Sequence, residues 1–125
     1  MVPDALKTIL IVEDVELNRD LLIQLLEDRY RVVVAADGED AIERASDESP
    51  DLILMDLSLP GMDGWELTRR LKKNIATCHI PIIALTAYGK QGDAERAHEA
   101  GFAEFVAKPV STRELPAIIR KHVRR

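Results

Sequence analysis

Apolar runs alternate with stretches of helical periodicity along the whole chain. Each of five short apolar runs is followed by a segment whose apolar residues recur every three or four positions. The predicted strands cover residues 9–12, 32–36, 52–55, 80–85 and 102–107. Near-continuous apolar strands that alternate with helices are typical of a parallel sheet, because right-handed crossovers bury both of its faces under helices. The pattern therefore predicts a doubly wound α/β domain with five strands and five helices.

The predicted helices differ in how clearly an apolar face is marked. The first carries a stripe at three- and four-residue spacing, which consists of Asn18, Leu22, Leu25, Leu26 and Arg29. The other four are predicted over residues 38–47, 64–73, 90–100 and 112–123. Ser111 and Glu114 form a capping-box pattern before the last helix, and Pro116, one turn in, costs a backbone hydrogen bond. We therefore expect a tight or bent first turn in that helix.

Length and composition bound the class of protein. The chain has 125 residues, of which 46% are hydrophobic and 31% charged. These values indicate a single globular domain over residues 1–125, with a core from about residue 7 to about residue 123. No run approaches the roughly 20 apolar residues of a membrane span, and the first residues lack a secretory signal, so no membrane partner is expected. One cysteine, Cys78, excludes an internal disulfide, and we expect a cytoplasmic protein.

The charge of the chain bears on its partners. A formal net charge of -5 argues against nucleic acid binding, because contact with a phosphate backbone requires a basic face. Residues 120–125 are locally basic. Cations at a helix C-terminus complement the helix dipole, which is the simpler interpretation of this segment, and a binding tail is the alternative.

Polar side chains follow the strands at the edge where doubly wound sheets bind their ligands. They are Glu13 and Asp14 after the first strand, Asp56 after the third, Thr86 after the fourth and Lys108 after the fifth. Each acid taken alone is more typical of a turn or a helix cap, and Thr86 or Lys108 alone indicates little. Independent capping does not predict this combination at four ends of one sheet, so we interpret the five residues as one site.

The combination of residue types indicates a chemistry. Carboxylates that share one edge repel one another, by about 1 to 4 kcal/mol for a pair about 4 Å apart. A hard divalent cation offsets this repulsion, and Mg²⁺, with Mn²⁺ as a substitute, suits carboxylates, a carbonyl, waters and a phosphate oxygen. Lys108 and Thr86 add a positive charge and a hydroxyl. Such a set is what phosphoryl transfer to a carboxylate requires, so we predict Asp56 as the nucleophile.

Four motifs identify the family that the sequence resembles. The stretches ILIVED, PDLILMDLSLPGMDG, IPIIALTA and FVAKP have the order and spacing of the receiver domain of two-component response regulators. The resemblance covers essentially the whole chain. It implies a flavodoxin-like sheet of the CheY-like superfamily with strand order 2-1-3-4-5. The chain is similar in particular to stand-alone receivers of phosphorelay and cell-cycle systems.

The resemblance implies roles for the acidic residues. Asp56 is the phosphoacceptor and also contacts the metal, Asp14 binds Mg²⁺ directly, and Glu13 supports the ion through water. The backbone carbonyl of Ser58 completes the protein ligands. Glu13 stands where aspartate is frequent in the family, and its extra methylene is tolerated if the contact is made through water.

The resemblance also implies how the phosphoryl group is held and sensed. Lys108 contacts the phosphoryl group, and the peptide bond before Pro109 is expected to be cis. The Thr86 hydroxyl and the backbone N–H of Ala87 contact phosphate oxygens. Phe105 is the switch aromatic that turns inward as Thr86 moves. Because Phe105 lacks the hydroxyl of the commoner tyrosine, switching rests on burial of its ring.

Protein partners follow from the same resemblance. The phosphodonor is a phosphohistidine of a sensor histidine kinase or a histidine phosphotransfer protein, and the output is a downstream protein target. Leu17 and Leu21 widen the stripe of the first helix and, with Asn18, form a candidate docking surface for the donor. Ordinary burial at the edge of the stripe is the alternative interpretation of the two leucines. We expect a monomer or a weak dimer.

The leading hypothesis is a stand-alone single-domain response regulator, which is a signalling phosphoacceptor and not an enzyme. One alternative is a receiver fragment of a hybrid kinase or a multidomain regulator. Another is an aspartate-nucleophile phosphatase on a similar sheet. Phosphatases of that type commonly carry a second aspartate two residues after the nucleophile, where this chain has Ser58, which disfavours them.

Overall fold

The computed structural model describes residues 6–57, 64–86 and 99–123 of the chain. One sheet of five parallel strands has the order β2-β1-β3-β4-β5, as predicted. The strands are β1 (Thr8–Val12), β2 (Arg31–Ala35), β3 (Leu52–Asp56), β4 (Ile82–Thr86) and β5 (Glu104–Ala107). The three central strands are buried along their whole length because helices cover both faces of the sheet.

Four helices lie within the described residues. They are α1 (Glu16–Leu26), α2 (Gly38–Glu48), α3 (Gly64–Lys73) and α4 (Glu114–Val123). The helix predicted over residues 90–100 lies outside the described part of the chain except for Glu99 and Ala100, which are helical. None of the described helices is long and apolar enough to cross a membrane.

Two apolar clusters on opposite faces of the sheet form the core. Side chains alternate along each strand, so Leu10 and Val12 point to one face of β1 whereas Ile9 and Ile11 point to the other. The first face packs against α2 and α3, and the second packs against α1 and α4. This division of the helices between the two faces is the doubly wound arrangement that the strand pattern predicted.

Two proline residues move the ends of predicted elements. Strand β4 begins at Ile82 and not at residue 80, because Pro81 has no N–H for the ladder and Ile80 instead donates to the carbonyl of Thr77 at 3.1 Å. Helix α4 begins at Glu114 and not at residue 112. Pro116 has no N–H to donate four residues back, which explains the later start of the helix.

The first turn before α4 is held by Ser111. Its hydroxyl oxygen accepts the backbone N–H of Arg113 at 3.2 Å and that of Glu114 at 3.0 Å, and its carbonyl accepts the N–H of Leu115 at 3.0 Å. The Ser111 hydroxyl therefore makes the serine half of the predicted capping box. These bonds stabilise the turn that Pro116 interrupts.

Candidate functional site

The carboxyl edge of the sheet brings together side chains that are far apart in the sequence. Glu13 follows β1, Asp56 ends β3 and Thr86 ends β4, and these residues are 1%, 4% and 4% exposed. Lys108 follows the last residue of β5 and is half-buried, whereas Asp14 is exposed. Because parallel strands all end on the same edge, the five predicted site residues meet there.

Three carboxylates and one ammonium form the centre of this edge. One carboxylate oxygen from each of Glu13, Asp14 and Asp56 lies within 4.8 Å of the other two. The Lys108 Nζ lies 3.4 Å from Asp56 Oδ2 and 3.6 Å from Glu13 Oε1. Lys108 therefore bridges the two buried acids and offsets part of their mutual repulsion.

Backbone contacts place Lys108 beside the end of β4. Its N–H donates to the carbonyl oxygen of Thr86 at 2.6 Å, and Ala107 pairs with Thr86 in the ladder. The peptide bond between Lys108 and Pro109 is cis, the isomer that the family resemblance implied. The hydroxyl of Thr86 and the ammonium of Lys108 thus stand on neighbouring strand ends.

Glu13 is the most deeply buried member of the acidic cluster. Its N–H donates to the carbonyl of Ala35 at 3.0 Å, and its Oε2 accepts the N–H of Val15 at 3.2 Å. Oε1 is buried and has no hydrogen-bond partner among the described residues. Burial raises the pKa of the Glu13 carboxyl above its ordinary value, and the negative charge of Asp56 adds to the rise.

The alternative interpretation, in which Glu13 and Asp14 act only as helix caps, accounts for part of the observed contacts. Val15 occupies the N-cap position of α1 and makes no side-chain capping bond within the described residues. The carboxylate of Glu13 accepts the N–H of Val15, so one oxygen acts at the helix start. Its other oxygen faces Lys108, which capping does not explain.

The donor set fits a hard divalent cation. Two oxygens bound to one Mg²⁺ lie at most about 4.2 Å apart, since each bond is about 2.1 Å long. The cluster of Glu13, Asp14 and Asp56, whose oxygens lie within 4.8 Å of one another, comes close to this span before any adjustment. The buried Oε1 of Glu13, without a hydrogen-bond donor in the described part of the chain, is an acceptor that such an ion or its water can use.

An apolar groove opens directly beside the acidic cluster. It has a volume of about 260 Å³, and its walls include Asn18, Leu22 and Leu25 of α1 as well as Val110, while Glu13 and Lys108 lie at its polar end. Leu21 lines the same groove. The groove thus connects the first helix with the site.

Two leucines of α1 are more exposed than an edge of the apolar stripe requires. Leu17 is 69% exposed and Leu21 is 58% exposed, whereas Leu22 is 7% exposed. Ordinary edge burial, which was the alternative interpretation, is therefore wrong for Leu17 and Leu21. Helix α1 ends at Leu26, so Arg29, predicted on the stripe, lies in the turn that follows.

Of the remaining predicted site residues, Phe105 lies within the described part of the chain. Phe105 of β5 is half-buried and packs against the apolar cluster on the α2 and α3 face. On that side Trp65, the second residue of α3, packs edge-on against Phe102 with ring centroids 5.5 Å apart. Ser58 and Ala87, for which backbone contacts were predicted, lie outside the described residues.

Sequence reasoning missed one side chain next to the site. Arg19 of α1 donates through Nη1 to the backbone carbonyl of Glu13 at 3.2 Å. Its position in the sequence could have indicated this contact, because a side chain in the second turn of a helix leans back over the first turn. An arginine six positions after a functional acid was too weak a pattern to single out.

Comparisons with known proteins identify the family of the chain. Residues 9–120 match the response regulator receiver domain family. The polar-differentiation response regulator DivK of Brucella anthropi is 38% identical over 118 residues, which is 94% of this chain and 96% of DivK.

Solved receiver structures have the same fold. The receiver domain of the sensor histidine kinase PA1611 from Pseudomonas aeruginosa, with magnesium coordinated in its active site cleft, is 38% identical with a TM-score of 0.87. The comparison covers 95% of this chain and 98% of that one. A CheY-like receiver domain protein from Methanospirillum hungatei is 31% identical with a TM-score of 0.87, over 95% and 94% of the two chains.

The fold and the site define the class of two-component receiver proteins. With the family match over residues 9–120 and relatives of 38% identity, the chain belongs to the response regulator receiver domain family.

Proposed function

We propose that the protein accepts a phosphoryl group on Asp56 in a two-component or phosphorelay pathway. One observation carries the proposal: the Lys108 ammonium lies 3.4 Å from Asp56 Oδ2 and 3.6 Å from Glu13 Oε1, at the edge where three carboxylates meet. An ion pair for stability alone does not need this cluster, because burying like charges together costs free energy. A site that must bind a phosphoryl group and its cation does need it.

The transfer follows from what these side chains can do. A carboxylate oxygen of Asp56 forms a bond to phosphorus as the bond from phosphorus to the donor imidazole nitrogen breaks, and that nitrogen keeps the electron pair. The Lys108 ammonium stays in contact with the phosphoryl oxygens during the transfer and balances the negative charge that spreads over them. The Thr86 hydroxyl and the Ala87 N–H donate to the same oxygens. Asp56 is 4% exposed, so little of its side chain is open to water.

Mg²⁺ is the proposed cofactor, and Mn²⁺ can substitute. Asp14, which is exposed, and Asp56 would hold the ion, Glu13 would support it through water, and the Ser58 carbonyl would complete the set. When bound, the ion supplies charge neutralisation and orientation of phosphate oxygens. The magnesium in the related PA1611 receiver supports this assignment.

Phosphorylation is proposed to act as a population shift and not as turnover of a substrate, so the protein is not an enzyme in the ordinary sense. Thr86 and Phe105 form the coupled element of the switch. Phe105 is half-buried and packs on the apolar core, so the buried fraction of its ring can still increase. The altered surface then binds a downstream protein, while nucleic acid is not a proposed partner of this acidic chain.

The proposed phosphodonor is a histidine kinase or a histidine phosphotransfer protein that docks on α1. Asn18 and Leu21 line the same groove as Glu13 and Lys108. Leu17 is exposed one turn before Leu21 on α1. Exposed leucines next to a charged site favour a partner that covers both. This surface would place the donor imidazole in line with Asp56.

We further propose a stand-alone cytoplasmic regulator, monomeric or weakly dimeric. Support comes from DivK, 96% of whose length aligns with this chain. The alternative of a hybrid kinase receiver is represented by the PA1611 domain. An antibody blot of the native source tests the point, because a band near 14.0 kDa is expected only for the stand-alone protein.

The phosphoacceptor proposal is tested with a small-molecule phosphodonor such as acetyl phosphate and Mg²⁺. Intact mass spectrometry is expected to detect one phosphoryl adduct that is stable in acid and labile in base. The Asp56→Asn variant is expected to lose the adduct completely, because an amide oxygen is a poor nucleophile for phosphorus.

Asp51→Asn is the matched control, since it makes the same change in an acid at the opposite edge of the sheet. It is expected to keep the adduct. A folded wild-type protein without an adduct under any donor, or an adduct that persists in Asp56→Asn, overturns the proposal.

A further inference from the structure

The side chain of Arg19 reaches back from α1 to the end of β1. Arg19 is the fourth residue of the helix, and its Nη1 donates to the carbonyl oxygen of Glu13 at 3.2 Å. Helical side chains lean toward the N-terminus of their helix, so an arginine in the second turn is well placed for this contact. The bond closes a loop that contains Asp14 and Val15.

This contact matters because the start of α1 is weakly capped. The N-cap residue Val15 makes no side-chain capping bond within the described part of the chain. Its N–H is instead taken by Glu13 Oε2 at 3.2 Å, a bond that uses the carboxylate of a site residue. The Arg19 bond holds the turn through the backbone of Glu13, and so it leaves that carboxylate oriented toward the site.

The carboxylate of Asp14, in this turn, is also repelled by the neighbouring carboxylates. Asp14 lies between Glu13 and Val15, and one of its carboxylate oxygens lies within 4.8 Å of an oxygen of Glu13 and an oxygen of Asp56. Mutual repulsion favours movement of the exposed Asp14 away from the two buried acids. A bond from Arg19 that fixes the turn opposes this movement.

From these contacts we infer that Arg19 is a positioning residue for the divalent cation site: by holding the Glu13 carbonyl, it sets the turn that presents the Glu13 and Asp14 carboxylates. The inference rests on the proposed function, because it assumes that the acidic cluster binds a divalent cation. It assigns Arg19 no contact with the ion or the phosphoryl group.

A positioning role and a purely electrostatic role of Arg19 predict opposite changes in the affinity for a divalent ion when Arg19 is replaced. A cation near the acidic cluster repels a divalent ion, so its removal alone tightens metal binding. Loss of a positioning bond weakens binding instead, as loss of outer contacts around a metal site commonly does, by about 10-fold to 100-fold. The sign of the change therefore separates the two effects.

The test is a titration of metal-free protein with Mn²⁺, with free Mn²⁺ measured by electron paramagnetic resonance. Arg19→Met keeps the length of the side chain and removes its donors. We expect its Kd for Mn²⁺ to rise about 10-fold. Arg29→Met makes the same change of net charge beyond the far end of α1, and it is expected to stay within about 2-fold of the wild type.

Arg19→Lys restores a charge and one donor, and its Kd is expected to fall between those of Arg19→Met and the wild type. Amide hydrogen exchange at Asp14 and Val15 is expected to be faster in Arg19→Met, a change that lost charge does not produce. Urea unfolding confirms that each variant is folded, and if Arg19→Met does not fold, Arg19→Lys carries the test.

Unchanged or tighter Mn²⁺ binding by folded Arg19→Met overturns the inference while the proposed function stands. Wild-type protein that binds no Mn²⁺ overturns the metal part of the proposed function itself. The two failures are therefore distinguishable.

Discussion

The carboxylates at the two edges of the sheet differ in their hydrogen bonding and burial. At the amino edge, Asp51 Oδ2 accepts the N–H of Thr8 at 2.8 Å, and Glu104 Oε1 lies 2.9 Å from His122 Nε2. At the carboxyl edge, Glu13 is 1% exposed and one of its oxygens lacks a hydrogen-bond donor among the described residues. The acids of the amino edge are paired for stability, and those of the carboxyl edge are gathered at a cost.

The pKa shifts of two glutamates express this contrast. Burial raises the pKa of Glu13, whereas the hydrogen bond from His122 lowers the pKa of Glu104, with the charge of Lys121 adding to the effect. A raised carboxyl pKa means that the ionised form is disfavoured in the folded protein, and a lowered pKa means the reverse. The ionised form of Glu13 therefore lowers the stability of the fold, whereas that of Glu104 raises it.

The largest expected effect is at the amino edge, in Asp51→Ala. The change removes the acceptor of the Thr8 N–H, and Thr8 is 8% exposed, so a nearly buried donor loses its partner. We expect the free energy of unfolding to fall by about 2 kcal/mol. Urea unfolding at pH 7 measures it, with phosphorylation of the folded variant unchanged.

Asp51→Asn is the control for this prediction, because its amide oxygen can accept the same bond from Thr8. It is expected to keep most of the stability. Equal losses in the two variants would show that the hydrogen bond is not the cause.

The second effect has the opposite sign and belongs to the carboxyl edge. In metal-free buffer at pH 7, Glu13→Gln is expected to raise the free energy of unfolding by about 1 kcal/mol, because it removes a buried negative charge beside Asp56 while Lys108 keeps its ion pair with Asp56. A carboxyl whose folded pKa is raised stabilises the fold when protonated, and this contribution is lost as pH rises through the folded pKa. The gain should therefore shrink on acidification.

Two measurements sharpen the Glu13 prediction. Mg²⁺ should stabilise the wild type more than Glu13→Gln, since the variant offers a weaker ligand set. Glu27→Gln, an exposed change just beyond α1, should alter neither stability nor the response to Mg²⁺. A variant that is less stable than the wild type at pH 7 without metal would contradict the expected cost of Glu13.

The smallest effect is expected for Glu104→Gln. Its side chain is 30% exposed, and solvent screening limits the loss to about 0.5 kcal/mol. A carboxyl with a lowered folded pKa contributes stability above its ordinary value of 4.5, and this contribution is lost as pH falls through the folded pKa. Urea unfolding of both proteins at pH 7 and at lower pH measures the difference.

Salt separates the Glu104 prediction from a packing effect. The difference between wild type and Glu104→Gln should shrink at high ionic strength, because the partly exposed pairs with His122 and Lys121 are screened. A difference that persists unchanged at low pH and in high salt would rule out the ion pairs as its cause.

Much of the fold could be predicted because the relevant signals are local. The apolar runs located every strand to within two residues, since a buried strand must be apolar along its length whatever surrounds it. Pro81 and Pro116 account for the later starts of β4 and α4, because each removes one backbone donor. The polar residues that follow the strands were also visible in the sequence, and the structure brings Glu13, Asp56 and Lys108 close together at the carboxyl edge.

Exposure on α1 was harder to predict. Leu17 and Leu21 continue the apolar stripe of the helix, yet both are exposed while Leu22 and Leu26 are buried. Spacing states which residues share a face, but it does not state how far a helix is rotated on the sheet. That rotation depends on packing against strands and α4, which are distant in the sequence.

The sequence by itself determined the number of strands, the doubly wound class and the types of residue at the carboxyl edge, because periodicity and turn chemistry act over a few neighbouring residues. Only the tertiary structure decided that Lys108 bridges Asp56 and Glu13, that one oxygen of Glu13 is left without a hydrogen-bond donor in the described part of the chain, and that Arg19 donates to the Glu13 carbonyl. These features depend on distances and burial that arise when separate strands and helices pack, and no local pattern encodes them.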